Sequence, residues 1–299
     1  MVSPRTIVNF NLAYTNRRDF FEVRSVNASW GYEWTKRNHT WQYIPLNFEF
    51  TDVGATDSLR KLQERIPSVA FAFNNGLIIS QVLTYATARS VGKHKTLFRA
   101  RVEESGAIFG LIKSLDRGDL NRFIKGDVEY KYFIENKKST WAFRIFGGYG
   151  YAYGRSGDST ETSLPFFKAY FGGGPYSMRA WRVRQLGLGS NIFYDTAAVG
   201  SLDRFGDIKL EANIEYRFDI GRIFGIKVQS ALFSDIGNVW LRETQNDPNL
   251  ANANFSFSRL YKDLAVAGGT SLRLDFDFFL IRFDWAYKLK NPFYSDVNN

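Results

Sequence analysis

The chain has 299 residues and a net charge of +9 at pH 7, with 28 Phe, 16 Tyr, 7 Trp, 2 His and no Cys. Zero cysteine excludes a disulfide framework and any thiolate metal site, and two histidines leave little for a zinc centre or His-based catalysis. Hydrophobic residues reach 44% while mean hydropathy is −0.28, so apolar and polar residues are interleaved, and no stretch approaches the ~18 consecutive apolar residues of a membrane helix.

The dominant signal is alternation with period two, which specifies strands with one apolar and one polar face. In chain order, Val8, Phe10, Leu12 and Tyr14 alternate with Asn9, Asn11 and Ala13. Next, Val26, Ala28, Trp30, Tyr32 and Trp34 alternate with Asn27, Ser29, Gly31 and Glu33; then Ile44, Leu46, Phe48 and Phe50 with Pro45, Asn47 and Glu49. Thr56 to Arg65 reads as a short amphipathic helix capped by Asp57 or Ser58, with Leu59, Leu62 and Ile66 as its apolar stripe. Further strands are expected near 77–88, 97–108, 123–134 and 140–153. The clearest alternation is 208–218, where Ile208, Leu210, Ala212, Ile214, Tyr216 and Phe218 face away from Lys209, Glu211, Asn213, Glu215 and Arg217. Strands near 225–235, 265–277 and 280–289 complete the set.

About eleven strands result, most of about ten residues, a length that suits a tilted membrane strand. Short turns at Lys36–Thr40, Ser90–Thr96, Glu135–Thr140 and Asp219–Phe224 alternate with longer connections at 52–76, 109–122, 154–207 and 240–264. That asymmetry, with charges of both signs on the polar face, fits an all-β fold: a transmembrane, antiparallel, up-and-down β-barrel in a bacterial outer membrane, its interior wet. Residues 1–299 read as a single barrel domain. Eleven is an odd number of strands, the tail Asn291 to Asn299 is polar, and no export signal precedes the first strand. The expectation is a piece of a longer precursor, with its front end, some opening strands and a closing strand lying outside it.

Lys and Arg are spread along strands and turns, so they read as a solvated surface, or as a barrel lumen with lipopolysaccharide-facing loops, and no nucleic-acid partner is expected. His39 and His94 fall in short turns and read as solvated residues. Trp30, Trp34, Trp285 and Tyr287 read as interface aromatics on the lipid face. Glu103-Glu104 and the pair Asp275 and Asp277 read as ordinary charge pairing; no Ser/His/acid constellation has credible spacing. The chain is therefore not expected to be an enzyme, and no cofactor, metal or catalytic residue is expected.

The longest loop carries the most specific segment: Gly173-Gly174-Pro175-Tyr176-Ser177-Met178-Arg179-Ala180-Trp181, then Leu186-Gly187-Leu188-Gly189-Ser190. It lacks the spacing of a phosphate loop. Downstream come Gly206-Asp207, the strand ending Ile214-Glu215-Tyr216-Arg217-Phe218, and Phe233-Ser234-Asp235-Ile236-Gly237-Asn238-Val239-Trp240. Over roughly residues 164–290 this resembles the BamA/TamA-type bacterial surface-antigen superfamily of outer-membrane assembly factors, whose loop reads G-G-x-x-S-[VIM]-R-G-[FYW]. Ala180 stands where Gly is usual, and Leu188 where Pro is usual. The resemblance implies that the chain holds about strands five to fifteen of a barrel of about sixteen. It implies that the loop folds into the lumen and that Arg179 pairs with Glu215 and Asp235. Arg179 either shares in the mechanism or only props the loop. The implied activity is assembly, insertion or translocation of other outer-membrane proteins through a lateral seam. Implied partners are outer-membrane lipid and lipopolysaccharide, unfolded β-barrel substrates and other outer-membrane complex subunits. The alternatives are a passive channel or porin, or a structural anchoring barrel in a larger complex.

Overall fold

The computed structural model describes residues 4–17, 21–57, 76–112, 120–155, 163–191, 203–244, 252–276 and 278–292, with Arg60 and Leu250. Eleven strands form one sheet in chain order, each beside its predecessor. They are β1 (Arg5–Arg17), β2 (Phe21–Lys36), β3 (His39–Ala55), β4 (Gly76–Val91), β5 (His94–Ser105), β6 (Asn121–Glu135), β7 (Ser139–Arg155), β8 (Ile208–Ile223), β9 (Ile226–Trp240), β10 (Ala265–Asp275) and β11 (Leu280–Lys290). The count agrees with the alternation, but the strands are longer than expected, at 11 to 17 residues. Pairing continues past the alternating cores into polar and glycine-containing ends, where periodicity fades but backbone hydrogen bonds do not. Among the described residues β1 and β11 do not pair with each other.

The connections after β2, β4, β6, β8 and β10 are short, and those after β3, β5, β7 and β9 are long. In an up-and-down sheet these five short ones therefore share one end, opposite the short connection after β1; in outer-membrane barrels the end that gathers the short turns is the periplasmic one. The helix expected from Thr56 to Arg65 lies largely outside the described residues; what is described there is a bond from the Arg60 amide to the Thr56 carbonyl.

The chain folds as two compact units. One is Met1–Thr87, Arg99–Asp127 and Gly148–Tyr170; the other is Ala88–Phe98, Val128–Gly147 and Phe171–Asn299. Each inverts the polarity of a water-soluble sheet. In the first, Val102 is 46% exposed while its neighbour Glu103 is 1% exposed. In the second, Leu232 is 57% exposed while Asp235, on the opposite face of the same strand, is 0% exposed. In water an exposed Leu forgoes about 1.5–3 kcal/mol of burial, and a buried carboxylate needs a partner. Lipid on the apolar face removes the first cost, and the ion pairs of the inner face remove the second.

Register follows from the same demand. Asn213 lies opposite Asp235, and Glu215 opposite Phe233, so the polar positions of β8 and the inner positions of β9 share a face. Ala267 lies opposite Asp235 and Arg273 opposite Gln229, which extends that face onto β10. One expectation is corrected in β3. The alternation through Ile44, Leu46, Phe48 and Phe50 is interrupted by a register shift between Ile44 and Asn47 against β4, and Ile44 lies opposite the buried Val82. The interruption contains Pro45, which has no amide proton to give a ladder, so a bulge is the natural accommodation.

Candidate functional site

The site lies on the inner face of β8, β9 and β10, where residues 171–190 are seated. Gly173 starts the loop's turn at φ +95°, and a Cβ there would fall 2.1 Å from the Arg182 carbonyl oxygen, so only glycine fits. The Gly174 amide donates to the Trp181 carbonyl at 2.8 Å, which closes the turn around Ser177 to Ala180. Met178, Trp181 and Leu186 then pack, fully or nearly fully buried, with Ala180 against Ala265 and Ala267 of β10. Small residues on β10 leave the space that the loop side chains fill. Positive φ among described non-glycine residues occurs at Arg37, Arg184 and Phe224, so Ala180 needs no left-handed backbone at the position where the expected motif has Gly.

Arg179 projects from this turn onto the strands. Its Nε donates to Asp235 Oδ2 at 2.9 Å and its Nη2 to Asp235 Oδ1 at 2.7 Å, a two-point fork. Its Nη1 donates to Glu215 Oε2 at 2.6 Å, and its backbone amide donates to Asp235 Oδ2 at 3.1 Å. The guanidinium lies 3.4 Å from the centre of the Phe233 ring. Burial works against the Arg179 cation, but the hydrogen bonds and charges of Asp235 and Glu215 outweigh it and hold its pKa above the ordinary value. The planar donor fork is what makes the contact directional.

The carboxylates belong to a wider network. Glu215 also accepts from Arg217 Nε at 2.7 Å and from Arg273. Asn213 Nδ2 donates to Asp235 Oδ1 at 2.8 Å and to the Ser177 carbonyl at 3.0 Å. Ser177 Oγ donates to Glu211, which Arg144 and Lys209 also meet, each at 2.9 Å. Six consecutive loop positions from Gly173 to Met178 are thus fixed mainly through Ser177 and the Gly174–Trp181 bond, and Arg179 through its carboxylates.

A second tether completes the loop's return. Ser190 Oγ donates to Asp263 Oδ1 at 2.8 Å, Trp240 Nε1 to Asp263 Oδ2 at 2.9 Å, and Asn238 Nδ2 to the Gly189 carbonyl at 2.8 Å. Asp263 ends a one-turn helix, Leu260–Asp263, and is completely buried.

In the other unit, residues 164–170 make an attachment that sequence reading missed. Lys168 Nζ donates to Glu49 Oε1 and to Glu103 Oε1, both at 2.6 Å, with Glu103 further held by Ser80 and Arg101. Leu164 packs with Ile78, Phe123 and Ala152, and Phe167 and Ala169 flank them. Tyr170 lies over β7 where Gly148 leaves room: a Cβ there would meet the Tyr170 ring at 2.5 Å. The available signal was a single cation inside the apolar run Phe166-Phe167-Lys168-Ala169-Tyr170, but nothing periodic says which acids it meets.

The expected interface aromatics fall on the apolar face. Trp30, Trp285 and Tyr287 are exposed, and Trp34 is half-buried opposite Trp41. Glu103 has the partners just given, and Glu104 accepts from Tyr153 OH at 3.0 Å. Asp277 lies outside the described residues. His39 and His94 are exposed, each bonded through Nδ1 to a tyrosine hydroxyl, Tyr85 and Tyr132.

An inside-out antiparallel sheet whose longest loop is tied to its polar face defines an outer-membrane β-barrel. The chain belongs to the Omp85 superfamily, whose domain matches residues 112–298. Its fold is similar to that of BamA from Haemophilus ducreyi lacking POTRA domains 1–3, with a TM-score of 0.68 and 13% identity over 97% of this chain and 56% of that one. CdiB from Escherichia coli is also similar, with a TM-score of 0.52 and 10% identity over 93% of this chain and 45% of that one. The chain spans about half the length of these structures. No curated protein matches it in sequence.

Proposed function

We propose that this chain is the greater part of a barrel that inserts or translocates other β-rich outer-membrane proteins. The observation that carries the reading is the seating of residues 171–190 by Arg179 on Asp235 and Glu215, inside a region matched by the Omp85 domain. In this reading the loop braces the inner wall while a seam between the first and last strands of the complete barrel opens toward lipid. An unpaired strand edge there offers its backbone donors and acceptors to an incoming strand, which gains its hydrogen bonds without crossing hydrocarbon unpaired. The work is hydrogen-bond exchange and needs no covalent chemistry. Unfolded β-barrel chains are the substrates, and lipopolysaccharide and other outer-membrane subunits are the surroundings in which it acts.

Depletion of the full-length protein tests this. The levels of other outer-membrane β-barrels should fall together, while an unrelated periplasmic protein stays constant. Unchanged levels of all barrels, with a large stable conductance from the purified protein, would replace the reading with that of a channel.

A further inference from the structure

The short-turn end of the second unit carries a feature that neither the loop nor the proposed activity uses. The turns β4–β5, β6–β7 and β8–β9 present Arg89, Lys93, Lys95, Lys137, Lys138 and Arg222, all exposed. The acids nearest them in sequence are Glu135 and Asp219, and Asp219 is engaged by Lys227 at 3.3 Å. The turns are stitched to one another: the Glu135 amide donates to the Lys93 carbonyl at 2.7 Å, and the Asp219 amide to the Lys138 carbonyl at 2.9 Å. Successive cationic tips therefore sit at one level along the sheet end.

Just inboard of those tips runs an aromatic ladder. His94 and Tyr132 are stacked with ring centres 5.9 Å apart, Tyr132 lies 6.1 Å from Phe143, Phe143 6.1 Å from Trp141, and Trp141 4.6 Å from Tyr216. The ladder is on the apolar face, with Ile145 and Leu232 exposed beyond it. Aromatic side chains with polar edges settle at the headgroup level of a bilayer. Cations held one or two residues outward from that level stand where lipid phosphates are.

We propose that this rim is a binding surface for the headgroups of anionic phospholipid in the leaflet facing the short turns. Charge is complementary, the cations repeat at three neighbouring turns, and the aromatic ladder fixes their depth. An acidic polypeptide would not require the cations to keep pace with a lipid-facing ladder from strand to strand. The surface is independent of whether the barrel assembles other proteins.

The test uses the full-length protein in vesicles of equal phosphatidylcholine and phosphatidylglycerol, extracted in mild detergent, with co-purifying lipids counted by mass spectrometry at low and high salt. Phosphatidylglycerol should be enriched severalfold over phosphatidylcholine, and salt should abolish the enrichment. A variant with Lys93→Gln, Lys95→Gln, Lys137→Gln and Lys138→Gln should lose at least about fivefold of that preference, the equivalent of one engaged cation. Heat-dependent gel mobility reports that the variant is folded; should it not fold, the salt dependence of the unaltered protein decides. Equal amounts of both lipids at low salt, or a preference that survives the four substitutions in a folded barrel, would overturn the proposal. So would a rim that crosslinks from position 138 to an acidic protein while showing no lipid preference.

Discussion

Arg179 is held by four donor contacts to two carboxylates, and removing it would leave Asp235 completely buried without its cation. Stranding a buried partner in this way costs about 3–5 kcal/mol, much of which the structure avoids by releasing the loop. Arg179→Ala should therefore expose residues 171–190 to protease in the otherwise folded barrel. Arg179→Lys should be intermediate, since an ammonium cannot span both oxygens of Asp235 and reach Glu215. A digestion pattern identical to that of the unaltered protein would remove the tie from the account. Lys168 makes a parallel case in its own unit. Lys168→Met keeps the length of the stem and loses the charge, leaving Glu103 with Arg101 and Ser80. Expected is a destabilisation of about 1–3 kcal/mol, smaller than at Arg179 because those partners remain; it should appear as a lower midpoint of heat-dependent gel mobility, and an unchanged midpoint would show that the tie is inert.

At the scale of the element, β7 must approach the loop closely. A Cβ at Gly148 would collide with the Tyr170 ring, so Gly148→Val should push Tyr170 and the run behind it off the strand, whereas Gly148→Val with Tyr170→Ala should recover much of the loss. Measured stability of the two variants against the single Tyr170→Ala gives the answer; additive losses would mean that the contact is not made. The elements also show what the sequence could and could not convey. Strand number and facing were legible because a bilayer on one side and water on the other enforce a strict period of two, as in Ile208 to Phe218. Glu215 was placed on the polar face by that period alone. Its pairing with Arg179 came from likeness to a family, since a loop returning to a sheet leaves no periodic trace. Lys168 was invisible for the same reason: its acids, Glu49 and Glu103, are distant in sequence and are brought within reach by sheet order. The bulge at Ile44 to Asn47 was available in principle, because Pro45 cannot sit in a regular ladder. Strand lengths were underestimated because the ends are paired but not patterned.

For the whole molecule, the distribution of charge is as telling as its sum. Cations were expected to be spread along strands and turns, as a solvated surface or as a lumen with lipopolysaccharide-facing loops. On the inner wall Arg144, Arg179, Lys209 and Arg273 are paired with carboxylates, while six exposed cations of the second unit stand at the short turns. A barrel arranged this way presents matched charge inside, hydrocarbon contact around it and positive charge at one rim.

All of this depends on which face meets lipid. Single cysteines placed in a cysteine-free background at Leu232, Tyr287 and Gln229, labelled with an environment-sensitive fluorophore in vesicles containing brominated lipid, measure it directly. Leu232 and Tyr287 stand on the exposed apolar face and Gln229 on the inner face. Strong quenching at the first two positions and none at Gln229 is the expected result. Equal quenching at all three, or quenching at Gln229 alone, would contradict it.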